Sequence, residues 1–198
     1  EDGTVIETVT NDVDGNIVFP TIEYTLDDVG THTYTVQEVN DEQPGVGYDP
    51  TIYTVTVIVE DNVDGTLYVT ADLDHEALNF TNTYEAEGKI TFSGTKTIEG
   101  RAMTENDVFV FAVKEGEKTI AIVSNDANGN IVFPTIEYTL ADVGTHTYTV
   151  KETSPSGLGI TADPTEYTVT VTVEDTGDGE LLVTASANFE ALDFTNTY

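Results

Sequence analysis

From Tyr167 to Val173 the apolar residues Tyr167, Val169, Val171 and Val173 alternate with Thr168, Thr170 and Thr172. That two-residue period is the mark of a strand with one buried face. Thr, Val, Tyr and Phe, the residues strands prefer, are abundant throughout. The pairs Asp14-Gly15, Asp64-Gly65, Asn128-Gly129 and Asp178-Gly179 punctuate the short runs as turn signals. No stretch sustains a 3.6-residue period, beyond a single turn at Thr139–Val143. The pattern predicts an all-β sandwich, with about eight strands per unit, the density of an immunoglobulin-like domain.

The chain also repeats itself. Residues 1–84 align without a gap onto 115–198 at an offset of 114, with 53 identities in the 84 pairs. GNIVFPTIEYT occurs at 15–25 and again at 129–139. The repeating unit is therefore 114 residues, with one full copy at 85–198. The copy at 1–84 lacks its first thirty positions, including its first strand, as a piece of a longer array would.

Carrying the alternation through the polar residues singles out three positions. Glu152 shares parity with Tyr148 and Val150, while Thr147, Thr149 and Lys151 fall on the other face. Asn196 lies in the inward set with Phe194 and Tyr198. Lys96 shares parity with Ile90, Phe92 and Ile98, and Gly94 is read as a bulge in that strand. A lysine, a glutamate and an asparagine buried separately would cost several kcal/mol each, so the three are expected to meet. Desolvation disfavours the charged forms of buried amines and carboxyls, and a neutral amine is a nucleophile. Attack by Lys96 Nζ on the Asn196 carboxamide, with Glu152 moving protons, would expel ammonia and leave an amide cross-link. Each residue taken singly also has an ordinary reading: a rim glutamate, a turn-capping asparagine, a snorkelling lysine. Their coincidence favours the chemistry.

KTIEGR at 96–101, FVFAV at 109–113, TYTVKE at 147–152, YTVTVTVED at 167–175 and FTNTY at 194–198, with GNIVFPTIEYT at 129–139, resemble the pilin isopeptide-linkage domain of Gram-positive surface proteins. The resemblance implies tandem immunoglobulin-like (CnaB-like) β-sandwich domains: an incomplete pilin-like repeat at 1–84 and a complete one at 85–198. It also implies a self-formed bond between Lys96 and Asn196, with Glu152 catalytic. In the first repeat Glu38 and Asn82 match, but the matching lysine would precede Glu1. The implied protein is a structural module of an extracellular fibre on the cell surface, a pilus shaft or adhesin stalk. Its partners would be neighbouring repeats or subunits. The cross-linking is a single turnover, so no enzyme is implied, and no cofactor is expected.

Composition narrows the alternatives. With 37 acidic and 6 basic residues the formal charge is −31, which excludes a phosphate-neutralising face for nucleic acid or an anionic membrane. The first repeat carries 18 of the acidic residues and no Lys or Arg. Cysteine is absent, which removes disulfides and thiolate metal sites. No apolar run is long enough to span a membrane, and no signal peptide opens the chain. Acidic turns at Asn11–Asn16, Asp61–Gly65 and Asp175–Gly179 resemble fragments of calcium loops, but none has the full loop with its closing glutamate. His32 and His146 recur as structural histidines, and the replacement of His75 by Phe189 argues for packing. No metal site is expected. A repeat whose Thr-rich faces or acidic turns bind a host or surface ligand, or Ca²⁺, is the alternative function. In a third reading, the open edge of the first repeat is filled by strand addition from another chain.

Overall fold

The computed structural model describes residues 3–73, 77–186 and 188–198; His75 lies outside them. The chain divides into two compact units, one formed by Glu1–Glu42 with Gly47–Thr83 and the other by Gln43–Val46 with Tyr84–Tyr198. Regular structure is almost entirely β, as the alternation predicts.

In the first unit, strands β1 (Gly30–Gln37), β2 (Ile52–Asp61) and β3 (Leu67–Leu73) form one antiparallel sheet in that order. Its core is small: Tyr34, Val57 and Val59 are buried, with Tyr24, Val55 and Leu67 packed against them. A 3₁₀ turn at Leu26–Asp28 precedes β1, with Asp28 accepting from the Thr25 N–H and hydroxyl.

The second unit closes into two layers. One is a five-stranded antiparallel sheet formed by β6 (Val110–Glu115), β7 (Lys118–Ser124), β10 (Gly144–Glu152), β11 (Glu166–Asp175) and β12 (Leu181–Ala185), in the order β12-β11-β10-β6-β7. Opposite it lie β4 (Glu87–Ile90), β5 (Ser93–Glu99), β8 (Asn130–Val132), β9 (Ile136–Thr139) and β13 (Phe194–Thr197). Here β5 sits between β8 and β13, and β4 pairs with β9. Phe92, Ile131, Leu192 and Phe194 of this layer share one core with Phe111, Val150, Val169 and Val171 of the other.

The ten segments correspond to eight sequence runs. The run through β4 and β5 breaks at Thr91–Phe92, and the run through β8 and β9 breaks at Phe133–Thr135. Pro134 has no N–H to give a ladder, so the second break is built into the sequence. The two breaks face each other: the Phe133 N–H donates to the Phe92 carbonyl, and the Thr91 and Thr135 hydroxyls lie 2.8 Å apart.

The pairing of β5 with β13 is parallel, with Phe194 opposite Lys96 and Asn196 opposite Ile98. The opening and closing strands of the unit are therefore direct neighbours. Gly94 explains how they approach. It is buried within β5, and a Cβ there would run into the Leu192 carbonyl. Its role is close backbone approach rather than the expected bulge, and the inward parity from Phe92 to Lys96 passes through it unbroken.

Replacing Gly94 by Ala should push β5 away from residue 192 and lower the stability of the second unit by about 1–3 kcal/mol. Gly157, with open space around its would-be Cβ, is the control: Gly157→Ala should stay within about 0.5 kcal/mol of the parent. Denaturation midpoints of the two variants check the contrast.

Candidate functional site

The three inward polar residues meet in the core of the second unit. Lys96 is 1% exposed, Glu152 8% and Asn196 0%. Lys96 is fixed on β5, where its backbone N–H donates to the Gly129 carbonyl. Asn196 is on the adjacent β13. Glu152 closes β10 in the opposite sheet, paired with Phe111 of β6. The cluster therefore spans the sandwich from one layer to the other.

Lys96 Nζ donates to Glu152 Oε2 at 2.8 Å and to Asn196 Oδ1 at 2.5 Å. Asn196 Nδ2 donates to the other carboxyl oxygen, Glu152 Oε1, at 3.0 Å. One carboxyl thus touches the amine with one oxygen and the carboxamide nitrogen with the other. A fourth member completes the set: the Asp163 backbone N–H donates to Asn196 Oδ1 at 2.7 Å. The carboxamide oxygen receives two donors, an arrangement that draws electron density from its carbon. The Phe109 ring lies 5.0 Å from Lys96 Nζ and walls the amine with apolar surface.

Asp163 was not singled out from the sequence, because a backbone N–H carries no side-chain signature. A weak signal exists all the same. Between 41–50 and 155–164, where the repeats otherwise diverge, Gly, Asp and Pro recur at positions 45 and 159, 49 and 163, and 50 and 164. The Asp163 carboxylate holds the loop in place by accepting from the Thr165 N–H and hydroxyl and from the Thr195 N–H.

Burial pulls the Lys96 amine below the ordinary lysine range, outweighing the hydrogen bond and charge of Glu152 and the charge of Asp163, which act the other way. Burial pushes the Asp163 carboxyl up, but its hydrogen bonds from Thr165 and Thr195 and the nearby Lys96 charge more than reverse this, leaving it below its usual value.

In the first unit Asn82 Nδ2 donates to Glu38 Oε1 at 2.6 Å, and the Asp49 N–H donates to Asn82 Oδ1 at 2.9 Å. Two of the three residue types are thus together there, but Asn82 is exposed.

The other sequence candidates have local partners. His146 Nε2 lies 2.7 Å from the Asp142 carbonyl and its Nδ1 2.7 Å from Glu115 Oε1. His32 makes the equivalent contact to the Asp28 carbonyl. In the acidic turns, Asp12 Oδ1 accepts from the backbone N–H groups of Asp14 and Asn16, and Asp126 Oδ1 from those of Asn128 and Asn130. Their carboxylates brace the turns themselves. Among the described residues no group of three or more His, Asp or Glu side chains is placed to hold a metal ion, and no helix is long and apolar enough to cross a membrane.

The family model described as FctA, Spy0128-like isopeptide containing domain, matches residues 1–85 and 92–198. The chain belongs to this family. It is a structural domain of the pilin type. Among solved structures, the major pilin from Streptococcus pyogenes is similar at 20% identity, covering 88% of this chain and 71% of that one, with a TM-score of 0.27. The major pilin protein T-13 from Streptococcus pyogenes serotype GAS131465 is similar at 17% identity, covering 88% of this chain and 68% of that one, with a TM-score of 0.25. Among curated proteins none matches. The family assignment rests on the sequence match over both repeats.

The depressed Lys96 amine makes a pH prediction. In an Asn196→Ala variant the lysine has no carboxamide to join. A base whose folded pKa lies below its unfolded value binds fewer protons when folded, so stability is lowest below the folded pKa and rises with pH through the window up to the ordinary lysine value, about 10.4. Urea denaturation across a pH series should show this rise in Asn196→Ala relative to a Lys96→Met/Asn196→Ala variant. A flat difference would contradict it.

Proposed function

We propose that the chain is a repeat module of a bacterial cell-surface fibre, a pilus shaft or adhesin stalk, whose second unit is locked by an autocatalytic amide between Lys96 and Asn196. The observation that carries this reading is the buried contact set in which Glu152 bridges amine and carboxamide while Asp163 N–H and Lys96 Nζ converge on Asn196 Oδ1.

The chemistry follows from that set. Glu152 takes a proton from the Lys96 ammonium, freeing the amine lone pair. The amine attacks the Asn196 side-chain carbon, and the growing negative charge on Oδ1 is met by the Asp163 N–H. A nitrogen–carbon bond forms from Lys96. The Lys96 nitrogen gives up a second proton, Glu152 carries both protons to Nδ2, the original carbon–nitrogen bond breaks, and the nitrogen leaves as ammonium while Lys96 keeps one hydrogen as the amide N–H. The carboxylate is restored, and the product amide cannot repeat the reaction.

The bond would join positions 100 residues apart in sequence. Loop-closure arithmetic for a cross-link of that span gives on the order of 4–5 kcal/mol. The mechanical effect is larger. Tension arriving ahead of Lys96 would cross directly to β13 and leave beyond Asn196, so residues 97–195 would bear none of it. Modules of this kind in series would form an inextensible, protease-resistant stalk of the same protein's repeats or subunits on the outside of the cell. The acidic surface would keep such an array from associating sideways.

Intact mass spectrometry tests the reading. The chain should weigh about 17 Da less than its sequence mass, one ammonia lost to one amide. Lys96→Ala and Glu152→Ala should both restore the full mass, and Lys96→Ala should also lower the melting temperature. A full-mass parent chain, or a deficit that survives either substitution, would overturn it.

A further inference from the structure

Four polar or charged side chains are buried among the described residues: Lys96, Glu152, Asn196 and Asn125. The first three form the cluster described above. Asn125 touches none of them directly, yet it is only 6% exposed and its carboxamide is used at both ends. Oδ1 accepts from the Phe109 N–H at 2.8 Å, and Nδ2 donates to the Asp107 and Asp126 carbonyls, each at 2.9 Å. The backbone N–H of Asn125 also donates to the Phe109 carbonyl, at 3.3 Å. One side chain therefore fastens residues 107–109, which lead into β6, to the turn at 126–130 that follows β7. As mere filling, a carboxamide is a poor choice, because its hydrogen bonds must first offset its own desolvation.

Both of the fastened segments enclose Lys96. The Phe109 ring lies 5.0 Å from Nζ. The turn holds the lysine backbone: the Gly129 carbonyl accepts from the Lys96 N–H at 2.7 Å, and a Cβ on Gly129 would collide with the Lys96 carbonyl. Residue 107 is tied in turn to the segment just beyond β5, where Arg101 donates twice to the Asp107 carboxylate, at 2.8 and 2.6 Å. The contacts make a closed path from Lys96 through Gly129, Asp126, Asn125 and Asp107 to Arg101. Asn125 joins the part that grips the lysine backbone to the part that covers its amine.

We propose that Asn125 is a positioning residue for the Lys96–Asn196 cross-link: by fastening Phe109 to the Gly129 turn, it keeps the aromatic ring packed over the amine and water away from it. The inference rests on the cross-link proposed above and concerns its rate. A phenyl face attracts an ammonium group, but more weakly than the hydration it displaces. The net effect of the ring is to favour the neutral, nucleophilic amine, in line with the burial that pulls Lys96 below its ordinary range. With Asn125 cut back, the Phe109 N–H and two carbonyls lose a buried partner. Water that enters to satisfy them also reaches the amine, which then keeps its proton to higher pH and attacks more slowly near neutrality. The contacts among Lys96, Glu152, Asn196 and the Asp163 N–H do not involve Asn125 and remain.

The test follows ammonia loss by intact mass after the full 198-residue chain, recovered unfolded and unreacted from inclusion bodies in urea, is diluted into a series of buffers from about pH 6 to about pH 10. Tyrosine fluorescence times folding separately. The rate in Asn125→Ala should level off about one pH unit higher than in the parent, so that the variant is about tenfold slower at about pH 7 and matches the parent at the alkaline end. Phe109→Leu should show the same displacement. The double variant Asn125→Ala/Phe109→Leu should be no slower than the slower single one, because both changes open the same wall. Asn125→Ser, which keeps a hydroxyl, serves for the comparison if Asn125→Ala does not fold. A lower melting temperature with ligation slowed equally at every pH, or not slowed, would make Asn125 merely structural and overturn the proposal. Multiplying effects in the double variant would overturn the route through Phe109. A parent chain that folds without losing ammonia would overturn the cross-link itself, and with it any rate for Asn125 to set.

Discussion

A primary amine enclosed in an apolar sandwich is the constraint around which the second unit is organised. An ammonium group deprived of water loses solvation worth many kcal/mol, and that loss is offset only where acceptors are placed around it without error. Lys96 meets the condition with one oxygen from each sheet, Glu152 Oε2 from the five-stranded layer and Asn196 Oδ1 from the neighbouring strand. The proposed cross-link would draw on the same placement that makes the amine tolerable. In that proposal its acceptors would serve as base and electrophile, and burial lowers its proton affinity.

The parallel contact of β5 and β13 gives that chemistry a mechanical meaning. In an antiparallel hairpin, a cross-link would join residues close in sequence and enclose little of the chain. Here the neighbours are the opening and closing strands of the unit, so a link between them encloses nearly all of it. Gly94 permits the approach by presenting no side chain to the backbone at Leu192. Glu152 lies outside this pair of strands. It touches both the amine and the carboxamide from the opposing sheet and couples their geometry to correct packing of the whole core.

The first unit holds part of the same arrangement. The three-stranded sheet, the small Tyr34 core, the Tyr24–Tyr34 hydroxyl contact and the contacts among Glu38, Asn82 and Asp49 are all found there. Ile17, Phe19 and Asn82 are exposed. The carboxyl and carboxamide are thus positioned by the sheet and the loop at Asp49.

Alternation along single strands was legible in the residues, since the side-chain period of a strand is a local property. It placed Tyr148, Val150 and Glu152 on one face and Lys96 with Phe92 on another, and the structure buries all five. The duplication was equally plain, and with it the equivalence of Glu38 to Glu152 and Asn82 to Asn196. What alternation could not supply was the meeting of faces. Which strand lies beside which, that β5 and β13 run parallel, and which oxygen of Glu152 faces amine or carboxamide all depend on contacts between distant segments. The Asp163 N–H belongs to this second category: every residue but proline has such a donor, and only the path of the loop aims this one at Asn196. Sequence determined which groups leave solvent, because periodicity and residue chemistry act within a few positions. Tertiary structure alone decided that they converge, because convergence depends on how two sheets pack across a shared core.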